Sequence, residues 1–394
     1  MAHSDYYIQD NSDIEEKKLE AAKGLYQTGN FSAALKLYLD MVNTSYSYKL
    51  YYEIGRCYYK LNNFIEAEKS FLQSIALEEY KNPSYVFLGN IYHKKQEVNK
   101  AIEYWSMAFS YKPNDESVCL NLASAYFARS MRFQSVFYYK KYLKYAKDKK
   151  SPYYLEIKKS IDSFEKISTE FYQKAVRAVA MKDNLTAIQA LDYAVKTYPL
   201  SLDTNLLLAK LYFGEKEYLK SIVYFKQAYC IDNKSLDVLQ RMSSALINAG
   251  DFTTAYCCLK RMLPLVTNNQ KEYLDIIKTI KQLEDSFDGL SFEGHNDWAD
   301  KYWEDNNYMF SLFEYENCVI IDGTLAAKLS ERIQKLKSFI NPEERIIKSC
   351  FERGGYSYAN GDYVKSNKYF TKIMSLSNTD SSEYKFAKSR IVNV

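Results

Sequence analysis

Residues 85–113 read YVFLGNIYHKKQEVNKAIEYWSMAFSYKP. Tyr85, Leu88, Gly89 and Tyr92 stand at helical spacing, and after a polar gap Ala101, Trp105 and Ala108 do so again. That pattern predicts two short amphipathic helices joined by a turn. Gly89 and Ala101 have almost no side chain, so the two helices can approach closely, while Tyr92 and Trp105 have the volume to fill the space between one hairpin and the next. Pro113 follows the second helix, where a residue unable to continue a helix marks its end.

The pattern recurs along the chain. Ala67 precedes Ala101 by 34 residues, and Ala187, Ser221 and Ala255 are again 34 apart. Companions travel with them: Ile54, Gly55, Tyr58, Phe64 and Phe71 around Ala67, then Leu208, Ala209, Tyr212, Tyr218, Phe225 and Ala228 around Ser221. Around Ala255 stand Met242, Ser243, Leu246 and Leu259. A Gly-polar-aromatic turn appears as Gly29-Asn30-Phe31, Gly250-Asp251-Phe252 and Gly361-Asp362-Tyr363. Units therefore fall at roughly 15–48, 48–81, 82–115, 116–149, 168–201, 202–235, 236–269 and 347–380. The first, fourth and last match least well: Ala34 is 33 residues before Ala67, Ser135 holds the small position of the fourth, and Arg353-Gly354 replaces the usual Leu-Gly in the last. A fixed period of this length means that each unit buries its apolar face on its neighbours, so the stack grows by nearest-neighbour contacts.

The spacing Y-x2-L-G-x2-Y, A-x3-W-x2-A, P resembles the tetratricopeptide (TPR) repeat at every defining position. The resemblance implies an all-α, right-handed α-solenoid of helix-turn-helix hairpins that serves as a non-catalytic protein-interaction scaffold. Composition agrees, because 12 Gly and 6 Pro in 394 residues leave too little turn-forming material for a many-stranded β domain. Many of the 39 Tyr land on repeat positions and read as inter-helix packing.

Two breaks interrupt the period and set the expected organisation. Residues 1–14 are polar and acidic and are expected to be disordered; 15–149 form an N-terminal block of about four repeats. Between Ser135 and Ala187 the step is 52, which leaves room for a linker helix within 150–167, at Pro152 to Lys166, with Ser151-Pro152 as its start. Just before it runs a basic stretch, Lys140-Lys141, Lys144, Lys147 and Lys149-Lys150, expected to be a solvated face. Residues 168–285 hold three repeats and a helix from Gln270 to Ser286. The stretch 286–346 is off-period, either an acidic, aromatic insert or degenerate repeats, with Trp298, Tyr302, Trp303, Phe310 and Phe313 among Asp and Glu. Within it Cys318 to Ile321 reads as extended, Asp322-Gly323 as a turn, and Thr324 to Phe339 as a helix begun by the Thr. A final repeat and capping helix occupy 347–394.

Chemistry is sparse. There is no GxGxxG, P-loop, GxSxG or HExxH pattern, so neither a catalytic residue nor a cofactor is expected. The seven Cys include no CxxC, and Cys57, Cys119, Cys230 and Cys350 sit in apolar helical pattern, as for reduced thiols of a cytoplasmic protein. His3, His93 and His295 pair with no Cys or acid at metal-binding spacing, so no metal is expected. No signal peptide or transmembrane stretch is evident. A net charge of +4 is too small to argue for nucleic acid.

What remains is the inner face that the TPR resemblance implies, lined by the first helix of each hairpin. Carried onto this chain it gives Lys23, Tyr26 and Gln27; Lys49, Tyr52, Arg56, Tyr59 and Lys60; Asn90, His93 and Lys94; and Asn121, Ser124 and Phe127. This basic and aromatic set suits peptide segments or partner helices with acidic and aromatic side chains. The subfamily that grips a C-terminal carboxylate is matched at Asn90 and Asn121 but not at Val86, Thr169 and Gln173, so chaperone co-factor activity is not expected. The C-terminal block presents the more apolar Leu206, Lys210, Phe213, Gln240, Ser244 and Ile247. The expected function is a scaffold in a multiprotein complex, with bacterial envelope or flagellar assemblies as the context that the composition suggests. The alternatives are a self-inhibited regulatory module, with 284–316 in its own groove, and an RNA-binding solenoid.

Overall fold

The computed structural model describes residues 2–42, 47–79, 81–286 and 293–392. Its regular elements are all helices: α1 (Ala2–Gln27), α2 (Phe31–Met41), α3 (Tyr48–Lys60), α4 (Phe64–Leu77), α5 (Ser84–Lys94), α6 (Val98–Tyr111) and α7 (Glu116–Ala128). There follow α8 (Arg132–Tyr145), α9 (Pro152–Ala180), α10 (Asn184–Thr197), α11 (Leu202–Gly214), α12 (Tyr218–Ile231), α13 (Leu236–Ala249) and α14 (Phe252–Met262) with a short 3-10 turn after it. The last are α15 (Gln270–Ser286), α16 (Glu293–Glu304), α17 (Tyr308–Ile321), α18 (Leu325–Ile340), α19 (Pro342–Ala359), α20 (Tyr363–Leu376) and α21 (Ser382–Ser389). The fold is an all-α solenoid of hairpins, pairing α1 with α2, α3 with α4, α5 with α6, α7 with α8, α9 with α10, α11 with α12, α13 with α14, α16 with α17, and α19 with α20.

One turn closes all these hairpins. A residue with left-handed backbone ends each first helix: Gly29, Asn62, Gln96, Ser130, Lys182, Lys216, Gly250, Asn306 and Gly361, with φ from 57° to 83°. In each, its amide and the next one reach back to two carbonyls of the helix just ended, as Gln96 to His93 (3.0 Å) and Glu97 to Tyr92 (2.9 Å). These bonds satisfy carbonyls that a helix end leaves unpaired. The next residue starts the second helix, and Asn30, Asn63, Asp183, Asp251 and Asp362 cap it through their side chains.

Packing repeats with the turn. Tyr92 stacks on Tyr104, Tyr126 on Tyr138 and Tyr212 on Tyr224, with centroids 5.2, 5.5 and 5.7 Å apart. In three hairpins the small position of the second helix is a serine whose buried hydroxyl donates to the carbonyl of the small residue opposite: Ser135 to Ala123, Ser221 to Ala209 and Ser311 to Ala299, at 2.8 to 3.0 Å. At these three positions polarity is tolerated because it is paired.

Several expectations are corrected. The linker helix does not stop at Lys166: α9 runs unbroken to Ala180 and is also the first helix of the next hairpin. Helix α1 starts at Ala2, upstream of the repeat boundary at 15. Cys318 to Ile321 is not extended but is the last turn of α17. Of the off-period stretch, α16 and α17 make a hairpin with the same left-handed turn and the same Ser-to-carbonyl bond as regular repeats. Thr324 is the N-cap residue of α18, as expected, but its side chain makes no capping bond: its amide and hydroxyl donate to Asp322 at 2.9 and 2.7 Å. The helix over Gln270–Ser286 is as expected.

The chain divides into two compact units, residues 1–113 and 114–394, one hairpin earlier than the expected boundary at 149. In the first, Ala22, Ala34, Tyr38, Leu50, Ile54 and Cys57 make one core. In the second, α7 and α8 turn donors toward much later helix ends: Tyr126 to Asn306 O (3.1 Å), Arg129 to Asp305 O (2.8 Å), Tyr138 to Phe339 O (3.2 Å) and Lys144 to Leu376 O (2.9 Å). Asp305, Phe339 and Leu376 lie at the C-termini of α16, α18 and α20, where carbonyls lack helical partners and the helix dipole is negative. This explains the early boundary: the fourth hairpin is bonded to the C-terminal elements of its own unit. No helix of the described residues is long and apolar enough to cross a membrane.

Candidate binding surfaces

In the first unit, α1, α3 and α5 bring much of the expected inner face together. The Arg56 guanidinium lies 4.1 Å from the centre of the Tyr26 ring and 5.6 Å from that of Tyr52. Tyr52 and Tyr59 meet Phe87 edge-on at 5.8 and 5.3 Å, and Phe87 stacks on Phe71 at 5.1 Å. Tyr59 also hydrogen-bonds Asn90, whose Oδ1 accepts from Trp105 Nε1 at 3.1 Å. His93 packs on Trp105, Lys94 lies over Phe64 and Lys49 over Tyr48. The result is a continuous aromatic strip with Lys23, Lys49, Lys60, His93 and Lys94 exposed around it.

Its electrostatics differ from the sequence picture in one respect. Arg56 is not a solvated cation: it is half-buried and paired with Glu53 at 2.8 Å. Burial opposes its charge, but Glu53 and the neighbouring tyrosines outweigh that and hold its pKa above the ordinary value. Burial also raises the hydroxyls of Tyr26, Tyr52 and Tyr59, so these rings present neutral phenols at neutral pH. Net positive potential therefore comes from the lysines. Phe87 is the residue that sequence reasoning missed; it stands three before Asn90, one turn along the same helix face.

Asn121, Ser124 and Phe127 belong to the second unit. Asn121 is half-buried and Ser124 exposed. Phe127, 62% exposed, lines a cavity of about 330 Å³ with Val136, Tyr153, Ile157 and Phe164. On the expected C-terminal face, Asp237 pairs with Lys210 at 3.1 Å and Arg241 at 2.5 Å, beside Phe213 and Ser244. Leu206 and Ile247 pack against the core.

The basic stretch is solvated in part: Lys147, Lys149 and Lys150 are exposed, while Lys140 and Lys141 are engaged. Lys141 pairs with the buried Glu343, which also accepts from the Tyr145 hydroxyl at 3.0 Å, and Lys140 donates to Tyr198 at 2.7 Å. Two acids of the 284–316 segment, Asp300 and Glu314, are engaged too. Asp300 binds Arg332 at 2.8 Å, and Glu314, 3% exposed, binds Lys226 at 2.8 Å and His295 at 2.7 Å. Burial would raise the Glu314 carboxyl, but the His295 hydrogen bond and the Lys226 charge outweigh it and hold it down at about 2. His295 thus does meet an acid, across a hairpin rather than along the sequence. No group of three or more His, Cys, Asp or Glu among the described residues is arranged to hold a metal ion.

Residues 48–80 and 83–115 each match the tetratricopeptide repeat family. These two segments, which hold the α3–α4 and α5–α6 hairpins, are similar to tetratricopeptide repeats. Over 108 residues it is 24% identical to BBSome complex member BBS4 of Bos taurus, a match covering 27% of this chain and 21% of that relative. Among solved structures, the P58(IPK) TPR domain is 16% identical over 95% of this chain and 97% of that one, with a TM-score of 0.27. The TPR2AB domain of yeast Sti1, solved in complex with pHSP90, is 14% identical over 69% of this chain and 99% of that one, with a TM-score of 0.29.

Packing of the helical hairpins accounts for the cysteines as well. Burial pushes the thiols of Cys57, Cys119 and Cys258 up to about 12 and that of Cys318 to about 11, so they remain protonated at neutral pH.

Proposed function

We infer that this chain is a non-catalytic TPR scaffold whose α1–α3–α5 face takes an acidic, aromatic peptide segment or partner helix and holds it in a multiprotein assembly. The observation that carries this reading is the unbroken strip from Tyr26 over Arg56 and Tyr52 to Phe87 and Tyr59. Rings already fixed by one another lose little freedom on binding, so they offer apolar contact at low entropic cost. The surrounding lysines supply attraction for carboxylates and speed encounter rather than fixing the complex. The BBS4 relative, itself named as a member of a complex, supports an assembly role. Cytoplasmic action, in a bacterial envelope or flagellar assembly, is the context that composition favours.

The test is a cross-linked pull-down from native lysate with wild type beside Lys49→Glu/Lys60→Glu/Lys94→Glu, which spares the packed Arg56. A partner captured by wild type and lost by the variant, at unchanged helicity, supports the reading. The same proteins captured by both would remove it.

A further inference from the structure

The second break in the repeat period opens a cleft distinct from the α1–α3–α5 face. With α15 inserted after α14, α17 packs against both α12 and α14. The end of α12, one side of α17 and the α18–α19 junction then enclose about 530 Å³, within the roughly 300–1,000 Å³ typical of ligand sites.

The floor of this cleft is apolar and braced. Met309, Phe313 and Ile340 form it. The Phe313 ring is held by Arg261 at 4.6 Å on one side and meets Tyr229 edge-on at 5.3 Å. Arg261 is itself fixed, donating to Asn317 Oδ1 at 2.5 Å and to Phe313 O at 3.1 Å.

The rim is cationic. Lys234, Lys337, Arg345 and Lys348 reach it from the turn after α12, from α18 and from α19, against the carboxylates Glu316 and Glu344. Glu316 is already shared between Lys337 at 2.9 Å and Arg261 at 3.8 Å. A positive ring around a braced apolar floor matches a ligand with the reverse pattern. The amides of Asn233, Gln334 and Asn341 add groups able both to donate and to accept, as a peptide backbone requires. A nucleic acid would instead call for a longer basic track along its phosphates.

We propose that this cleft binds a peptide segment carrying an aromatic or aliphatic anchor flanked by acidic side chains: the anchor sits on Met309 and Phe313, and the acids face Lys234 and Lys348. The test is fluorescence anisotropy of the full chain with a fluorescein-labelled peptide of alternating Glu and Phe, beside one of alternating Glu and Ser. Lys234→Glu/Lys348→Glu and the floor-filling Met309→Trp are each expected to weaken the Glu–Phe peptide by about tenfold or more, with helicity unchanged. The Glu–Ser peptide is expected to bind about tenfold more weakly than the Glu–Phe peptide. The proposal is overturned if both variants bind like wild type, or if the two peptides bind alike. It is overturned equally if Lys60→Glu/Lys94→Glu abolishes the binding, because the peptide then sits on the first unit, or if a single-stranded RNA probe is taken in its place.

Discussion

Gly89 and Trp105 are so close that a methyl group on Gly89 would lie 2.4 Å from Cδ1 and Nε1 of the indole. The indole has little room to yield, being 3% exposed and bonded through Nε1 to Asn90. Gly89→Ala is therefore expected to destabilise the first unit by about 1–3 kcal/mol, the range for overpacked cores. Gly24→Ala, in α1 with nothing within 4 Å of the added carbon, is expected to stabilise by about 0.5–1 kcal/mol. Urea unfolding of the two variants side by side checks the contrast; equal effects would mean that the indole contact does not limit the position.

The left-handed turn gives a second prediction. Lys216 sits at φ 63°, where an L side chain clashes with its own backbone, while Gly250 holds the equivalent place of the next hairpin at 83°. Relief of a strain of about 1–2 kcal/mol, less the extra freedom glycine has when unfolded, leaves Lys216→Gly stabilising by about 0.5–1 kcal/mol. Gly250→Ala should destabilise by a similar amount. A Tm that falls for Lys216→Gly would contradict the assigned backbone.

These turns also show what the sequence could and could not reveal. Asn62, Gln96 and Ser130 follow one another at steps of 34, yet their residue types differ, so no letter marks the turn. Period alone found those hairpins. The α16–α17 hairpin is legible only as one of two readings, because α15 displaces Ser311 from the register of Ala255, although Ala299, Tyr302, Ser311 and Tyr315 keep the internal spacing. Lys141 looked solvated because its partner, Glu343, lies 202 residues away. Spacing within a hairpin is local and legible; a pairing between distant helices is set by how the stack curves, which no window of sequence records. The same limit applies to the candidate face: Tyr26, Tyr52 and Tyr59 could be placed by repeat position, but Glu53 neutralising Arg56 and the bracing role of Phe87 needed coordinates.

The Lys141–Glu343 pair tests how firmly the fourth hairpin is held to the C-terminal elements. Both side chains are largely buried, so removing one leaves the other without its opposite charge. Lys141→Met and Glu343→Gln are each expected to cost about 3 kcal/mol, and the double variant less than the sum of the two. Denaturant unfolding of all four proteins closes the cycle; additive losses would show that the two side chains contribute independently.

Glu314 makes the stability of the second unit depend on acid. Its carboxyl titrates at about 2 in the folded chain against an ordinary 4.5, because Lys226 and His295 favour the ionised form more than burial disfavours it. A depressed folded value means that the contribution is complete above the unfolded pKa and fades as pH falls from there toward 2. The size of the shift sets that contribution at roughly 3 kcal/mol. Glu314→Gln removes the titration and leaves the Lys226 ammonium buried with a neutral partner, so it should be less stable than wild type at neutral pH. Lowering the pH should narrow the gap, because wild type alone loses the Glu314 contribution. Unfolding free energies of both proteins from neutral pH down through 4.5 measure this directly. A gap that stays constant throughout that window would place the acid sensitivity elsewhere in the unit.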